Sequence, residues 1–570
     1  MKLAILTTLA LVSGPAPLQA APSLADGKRL ISLEQLSWAV LEITRSYVDP
    51  KRMDPMEMLK QSLRGVENAI PDLLVDEAGL PKKVVLNLGE RSWNGDTSQV
   101  RSVWEMYIVL RGALGFVGRN LPVGVKASDV ELAAVNGLLQ SLDPHSVMFS
   151  PRAYEEMRMS TQGQFGGLGI VIGTRDGWLT VIAPIAGTPA SRAGIRARDR
   201  IVQINEETTQ NMGLDQAVSR LRGEPNSKVT IYIKRAGRDA KMKKVLTRAI
   251  IKVRSVTSSV LNDGIGYLRI KSFRENTTDD AVEQLAKLRQ RGATKGLVLD
   301  LRDNPGGLLE QAVSISDLFL PRGVIVTTVG MAGQVRESRH AHAAGTLAKL
   351  PVVVLMSGGS ASASEIVAGA LRNHKRALLL GNVSFGKGSV QTIIPYRPRR
   401  TEADGSALKL TIAQYLTPGD ISIQGIGVAP DILLDPVSIV EEEVTLKQRK
   451  TTKEADLSHH LENERAKQQT ERTSVRVLDT QAAVEMDEQT RRESAGEFHN
   501  DLPIAIAAEL LSKAGDFRAD RFYKQATPVL AEVERREEGR IVTALRGAGI
   551  NWTRAAKKTG GGDGEITLAL

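Results

Sequence analysis

The sequence predicts an α/β multidomain protein whose centre is a sheet of strands alternating with helices, and three observations carry that reading. From residue 250 onward, apolar strand-like runs at 265–270, 296–301 and 324–329 alternate with helical patterns at 278–290 and 308–318, the βαβ rhythm of an α/β sheet with helices on its faces. The run 351–356 is short, β-branched and closed by Gly358-Gly359, and a helical stretch from Glu365 to Leu371 leads to a second apolar run, 377–381; a helix between two such strands makes a right-handed crossover that returns the chain beside its start. The chain has 570 residues, 42% of them hydrophobic and 25% charged, enough for three or four domains with substantial cores.

Taken in order, the chain opens with Lys2 and an apolar run over residues 3–12, then Gly14 and two prolines, then Leu18-Gln-Ala20. This is the pattern of an export signal with a small-residue cleavage site, so residues 1–21 are expected to be a signal peptide and the protein to act in the periplasm or cell envelope, or outside the cell. The run is too short to span a bilayer, and no later stretch approaches about 18 uninterrupted apolar residues. Residues 26–150 read as a helical region: Leu33, Leu36, Val40 and Ile43, and later Val103, Met106 and Leu110, recur near the helical period. Residues 82–88 read as a short strand within it. Leu142-Asp-Pro-His-Ser146 ends the last helix, and His145 is expected to serve that turn rather than catalysis. A small β-rich unit follows over residues 164–250 and the α/β core over 251–436. Residues 437–498 are dense in charge and poor in apolar side chains, and read as a charged linker or exposed helix. Residues 499–570 regain helical periodicity through Ile504, Ile506, Leu510, Leu511, Ile541 and Leu545, and 566–570 look like a strand without a partner.

Composition excludes several functions. The net charge is +10, but the basic residues are interleaved with 65 acidic ones and aromatics make up 4%, so no basic patch with stacking rings marks a nucleic-acid site. The absence of cysteine rules out disulfides and a thiol nucleophile. His459-His460 stands without other ligands at metal spacing, and neither a metal nor a cofactor is expected.

The chemistry concentrates between Ser357 and Gln391. The turn after the strand at 351–356 carries Ser357, Ser360, Ser362 and Ser364. A serine hydroxyl becomes a nucleophile only when a positioned base takes its proton. His374 is a poor base, set among Arg372, Lys375 and Arg376 at the far end of the helix; Lys387, in Phe385-Gly-Lys-Gly388, is better, because the crossover returns it to the serine end. Burial among apolar groups lowers a lysine pKa by penalising the ammonium form. The competing reading, a phosphate-binding loop ending at Lys387, fails on two counts: Gly388 stands where Ser or Thr must hold magnesium, and residues 390–394 read as a strand instead of a helix.

The blocks Gly359-Ser-Ala-Ser-Ala-Ser-Glu365 and Ser384-Phe-Gly-Lys-Gly-Ser-Val-Gln391 resemble the catalytic signature of the carboxyl-terminal processing peptidases, or tail-specific proteases. The resemblance spans most of residues 140–435. It implies a Ser-Lys peptidase core in which the central serine, Ser362, is the nucleophile, Lys387 the base and Gln391 the residue that holds the lysine. It also implies an oxyanion hole made by the amide of Ala363 with that of Gly306 or Gly307, from the turn Arg302-Asp-Asn-Pro-Gly-Gly307 at the carboxyl end of a central strand. Asn373 departs from the family pattern, which commonly has an aspartate there. Residues 164–250 resemble a PDZ domain: Phe165-Gly-Gly-Leu-Gly169 leads into Ile170-Val-Ile172, so consecutive amides over Gly167, Leu168 and Gly169 are candidates to cradle a terminal carboxylate, with the Ile170 side chain in the groove, while the strand edge pairs with a peptide. The expected partners are proteins or peptides with free carboxyl termini, and the oligomeric state, homo-oligomer included, is left open. A PDZ scaffold on an inactive peptidase fold is the alternative; intact Ser362 and Lys387 favour the enzyme.

Overall fold

The computed structural model describes residues 33–547 apart from 176, 239, 334–335, 399–404, 441–442, 446–450, 463–470 and 479–500. The signal peptide expected at 1–21 and the strand expected at 566–570 lie outside these residues. Backbone contacts divide the chain into two units, one of residues 1–41 and 53–141, the other of residues 42–52 and 142–570.

The first unit holds the helices Pro55–Ala69, Val103–Arg119 and Ala127–Gln140. Asp54 starts the first of these by accepting from the amides of Met56 and Glu57, with Pro55 at the first helical position, where its missing N–H costs nothing. Ser102 caps the second in the same way. The unit is less purely helical than the sequence suggests. Leu73–Asp76, Lys83–Leu88 and Arg91–Asp96 form a three-stranded antiparallel sheet whose middle strand buries Val84, Leu86 and Leu88 on one face, a period-two alternation inside a region dominated by helical spacing.

In the second unit, the β-rich part is a sheet in the order Met242–Thr247, Lys228–Lys234, Arg200–Ile204, Trp178–Pro184, Ile170–Arg175. Helix Leu214–Leu221 buries Ala217 and Leu221 in the same core as Ile201, Ile204, Val229 and Ile231. Ile170–Arg175 is the edge strand on that path: among the described residues no further strand pairs with its outer side.

The α/β core is a sheet in the order Val256–Val260, Ile265–Ile270, Gly296–Asp300, Val352–Met356, Leu378–Gly381, Ile432–Val440, with Thr473–Leu478 beside the last. From Ile265–Ile270 on, neighbours are parallel, and Val353 faces Leu378 across the crossover that the sequence predicts. Parallel strands bury both faces. Leu299, Val354 and Leu379 meet helices Thr277–Gln290, Leu309–Asp317 and Ala363–Asn373 on one side. Val298, Val353, Leu355 and Leu380 meet Leu502–Ala514 and Ala519–Gly547 on the other.

Two expectations are corrected here. Residues 324–329 leave the parallel sheet: the strand Gly323–Gly330 belongs to a second, antiparallel sheet with Arg336–Ala341, Ala407–Thr417 and Ser389–Pro395. The stretch 437–498 is not simply a solvated linker, because Thr473–Leu478 adds a strand to the core and buries Val475 and Val477; two alternating valines among charges are enough for an edge strand. The helices Leu502–Ala514 and Ala519–Gly547, expected from the periodicity after residue 499, form the second helical layer of the core.

Candidate active site

Strand Val352–Met356 ends in a turn whose serines have different environments. Ser360 is buried, with its hydroxyl donating to the Leu301 carbonyl at 2.8 Å and accepting from the Ser357 amide at 3.0 Å. Ser364 is buried and donates to the Asn304 carbonyl at 2.9 Å. Ser357 donates to Asp303 at 2.8 Å. Ser362 is partly exposed, at the N-terminus of helix Ala363–Asn373, with φ 54° and ψ −114°. That backbone geometry costs a non-glycine residue roughly 1–3 kcal/mol and persists only where its surroundings hold it.

Two side chains hold it and tie it to the lysine loop. Glu365, fully buried, accepts from the Ser362 amide at 2.7 Å and the Lys387 amide at 3.0 Å through one oxygen; through the other it accepts from the Ser384 hydroxyl at 2.5 Å and the Gly386 amide at 2.7 Å. Burial pushes its pKa up to about 7, against the pull of those four donors. The Tyr415 hydroxyl lies between the carbonyls of Ser362, at 3.1 Å, and Lys387. The backbones of residues 362 and 387 are thus clamped from two directions.

Lys387 is half-buried. Desolvation lowers its pKa, the Lys409 ammonium lowers it further, and Glu454, Asp143 and Glu365 raise it; the result is about 8. Gln391 sits opposite Thr411 on the neighbouring strand, and its amide nitrogen donates to Ser389 at 3.0 Å and Thr411 at 3.2 Å. Thr411 donates in turn to buried Asp143 at 2.9 Å. Asp143 also accepts from the amides of His145 and Ser146 and from the Ser146 hydroxyl, at 2.8, 3.0 and 2.6 Å. Both nitrogen hydrogens of Gln391 are therefore engaged by hydroxyls, and its carbonyl oxygen is the end left to meet a cation.

The turn carrying Gly306 and Gly307 packs directly on the serine. A Cβ at Gly306, where φ is +96°, would lie 2.8 Å from Ser362 Cβ and 2.9 Å from the Ala363 nitrogen. Asn304 locks the turn: its side chain accepts from the Gly306 amide at 2.9 Å, and its carbonyl accepts from the Ala361 amide at 3.0 Å. The Gly306 amide is thereby engaged inside its own turn. Among the described residues no hydrogen bond takes up the amides of Gly307 and Ala363. Of the oxyanion donors expected from sequence, those two are the amides that the turn leaves unengaged among the described residues.

Asn373 lies at the opposite end of the serine helix, bonded to the Thr417 hydroxyl at 3.0 Å and the Pro418 carbonyl at 3.1 Å. Lys387 is followed by the strand Ser389–Pro395, not by the helix of a phosphate-binding loop. In the β-rich part, Gly167 lies in a two-stranded pairing with residues 249–252, the Leu168 side chain is buried, and Ile170 opens the edge strand. Gly169 has φ +74°, and a Cβ there would lie 2.4 Å from Thr188 Cβ, so the loop keeps its shape only with glycine.

Sequence reasoning missed Glu365, Tyr415, Asp143 and Thr411. Glu365 alone had a signal: a glutamate three residues after a helix-starting serine is placed to accept from that serine's amide.

Comparison with known proteins identifies the family. The profile of Peptidase family S41 matches residues 264–434, and that of a PDZ domain residues 180–235. The carboxy-terminal-processing protease of Bartonella bacilliformis is 45% identical over 305 residues, covering 53% of this chain and 69% of that one. The carboxyl-terminal-processing protease of Synechocystis sp. is 36% identical over 320 residues, covering 55% and 73%, and the carboxy-terminal processing protease CtpA of Bacillus subtilis 36% over 300 residues, covering 52% and 62%. A PDZ domain and an S41 core in one chain, with nearly half the residues shared across the aligned part of a relative, mean that this chain belongs to the carboxy-terminal-processing protease family of serine peptidases.

Proposed function

We propose that this chain is an exported endopeptidase that cuts proteins near their carboxyl termini, with Ser362 as nucleophile and Lys387 as general base. The observation that carries the reading is the double clamp by Glu365 and Tyr415, which ties the backbone of a part-exposed, strained serine to that of a lysine whose pKa has fallen to about 8. In the first step the Ser362 oxygen attacks the scissile carbonyl and its proton passes to neutral Lys387. Gly307 and Ala363 donate their amides to the oxygen as it gains charge. As the tetrahedral intermediate collapses, Lys387 returns the proton to the departing amine, leaving an acyl ester on Ser362. Water then attacks the ester as the same lysine takes its proton, and the lysine passes that proton to the departing Ser362 oxygen, which releases the acid and restores the hydroxyl. Gln391 keeps the lysine directed at the serine through its carbonyl oxygen. Export rests on the sequence of residues 1–21.

The PDZ part is assigned the capture of the substrate's tail, by strand addition to Ile170–Arg175 and by the amides of Leu168 and Gly169 around the terminal carboxylate. Matched peptides ending in a free acid or an amide test this, because the amide removes the charge. The acid is expected to be cut at least about tenfold more efficiently, with the difference in KM. Cleavage of neither peptide would refute the enzyme, and equal cleavage would remove the PDZ part from tail capture.

Gly306→Ala tests the oxyanion geometry. The methyl group would enter the space between Ser362 and Ala363, and the φ of +96° adds backbone strain. We expect kcat/KM to fall roughly 10²- to 10³-fold, the scale of a lost oxyanion donor. Activity within twofold of wild type would show that the two loops do not meet at the reacting carbonyl.

A further inference from the structure

A short segment of the charged region returns to the site from beyond residue 434, where the family match ends. Its anchors are specific. The Glu454 amide donates to the Phe385 carbonyl at 3.1 Å, Arg52 donates to the carbonyls of His459 and His460 at 2.8 Å each, and a Cβ at Gly358 would lie 2.7 Å from the Thr451 hydroxyl. The Glu454 side chain is fully buried. Its carboxylate meets His145 Nε2 at 2.9 and 3.0 Å and accepts from the Gln424 amide nitrogen at 3.0 Å, while the Gln424 oxygen accepts from the Gly388 amide at 2.7 Å. One carboxylate-bearing residue thus reaches both sides of Lys387, residue 385 directly and residue 388 through one glutamine.

We propose that Glu454 is a positioning residue for this peptidase: it fixes the Phe385–Gly388 loop and places a negative charge near the Lys387 ammonium. The proposal rests on the reading of Lys387 as the base. A buried carboxylate left unpaired is costly, so its partners mark what it serves. His145, in the turn after the first unit, and Gln424 hold it. Burial alone would raise its pKa, but the bond and charge of His145, with Gln424 and Lys387, bring it below the usual value, so it is ionised wherever Lys387 titrates. The groups facing Lys387 are Lys409 from strand Ala407–Thr417, Asp143 from the turn, Glu365 from the helix and Glu454 from this segment. The Tyr415 phenol, pushed well above its ordinary pKa by burial, stays neutral among them. Burial and Lys409 drive the lysine toward its neutral form, and Glu454 is the strongest of the negative charges opposing them.

The test compares kcat and KM against pH for the full chain and for Glu454→Gln, Glu454→Asp and Glu454→Ala on one peptide. Glu454→Gln keeps the shape and removes the charge, so the inflection of kcat/KM is expected to move to lower pH by at least about half a unit. Glu454→Asp, which keeps the charge, should leave the inflection near wild type. Glu454→Ala leaves His145 and Gln424 without their acceptor and is expected to lower kcat about tenfold with KM within about twofold, the pattern of a misplaced base. A merely structural residue would lower stability without moving the inflection. A wild-type inflection that stays put in Glu454→Gln would overturn the proposal, as would a rise in kcat/KM in Glu454→Ala, which would make the segment an obstruction. A wild-type profile with no inflection would bring down the Lys387 reading and this inference with it.

Discussion

Ser362→Ala is expected to lower kcat/KM on a peptide substrate by at least about 10⁴-fold while leaving the folded state intact, the scale on which removal of a covalent nucleophile acts. The alanine removes a part-exposed hydroxyl that does not hold the turn together. The turn is held by the Ser362 amide and carbonyl, through Glu365 and Tyr415, and alanine keeps both groups. Its neighbours behave oppositely. The Ser360 and Ser364 hydroxyls are buried and bonded to carbonyls of the 301–304 turn, so replacing either by alanine should cost about 1 kcal/mol of stability and leave turnover measurable. Thermal unfolding alongside steady-state kinetics separates the two cases. Loss of turnover in Ser360→Ala with activity kept in Ser362→Ala would reverse the assignment.

The contrast among these serines shows what was legible in sequence. Their run of small residues after a β-branched strand marks a turn at the carboxyl end of a parallel sheet, and the helix that follows returns Lys387 to the same end. Both follow from local period and from the handedness of crossovers. What distinguishes Ser362 from Ser360 is which hydroxyl is buried against residues 301–304, a contact between segments about 60 residues apart, and no local pattern encodes it. Glu365 announces itself only as a cap, and its second role, binding the amides of 386 and 387, depends on where the crossover returns. Glu454 was invisible for a physical reason. Charged composition over residues 437–498 signals poor burial on average, yet a single carboxylate with a histidine and a glutamine waiting for it is buried completely. The strand Thr473–Leu478 was hidden the same way, its two inward valines outnumbered by the charges around them.

Lys387→Ala is expected to lower kcat/KM about 10³- to 10⁴-fold at neutral pH, since in the proposed mechanism it removes the proton acceptor and later the proton donor of one reaction. The wild-type pH profile carries the sign. A lysine base works as the free amine, so kcat/KM should rise with pH through an inflection near 8, where burial and Lys409 have placed the group against the pull of Glu454, Asp143 and Glu365. Glu365, pushed up to about 7 by burial, gains its proton just below that point and can then no longer accept from all four of its donors at once. The acid limb is therefore expected to fall more steeply than one ionisation allows. Replacing Lys409 by methionine takes away the cation that most favours neutral Lys387, so the inflection should move to higher pH. Asn373→Asp should not move it. That side chain lies at the far end of the 11-residue serine helix, roughly 15 Å along its axis from Ser362 at about 1.5 Å per residue, and it is bonded there to Thr417 and Pro418. A profile flat from pH 6 to about 10 would exclude lysine as the base. A clear shift in Asn373→Asp would mean that the serine helix carries charge to the site over its whole length.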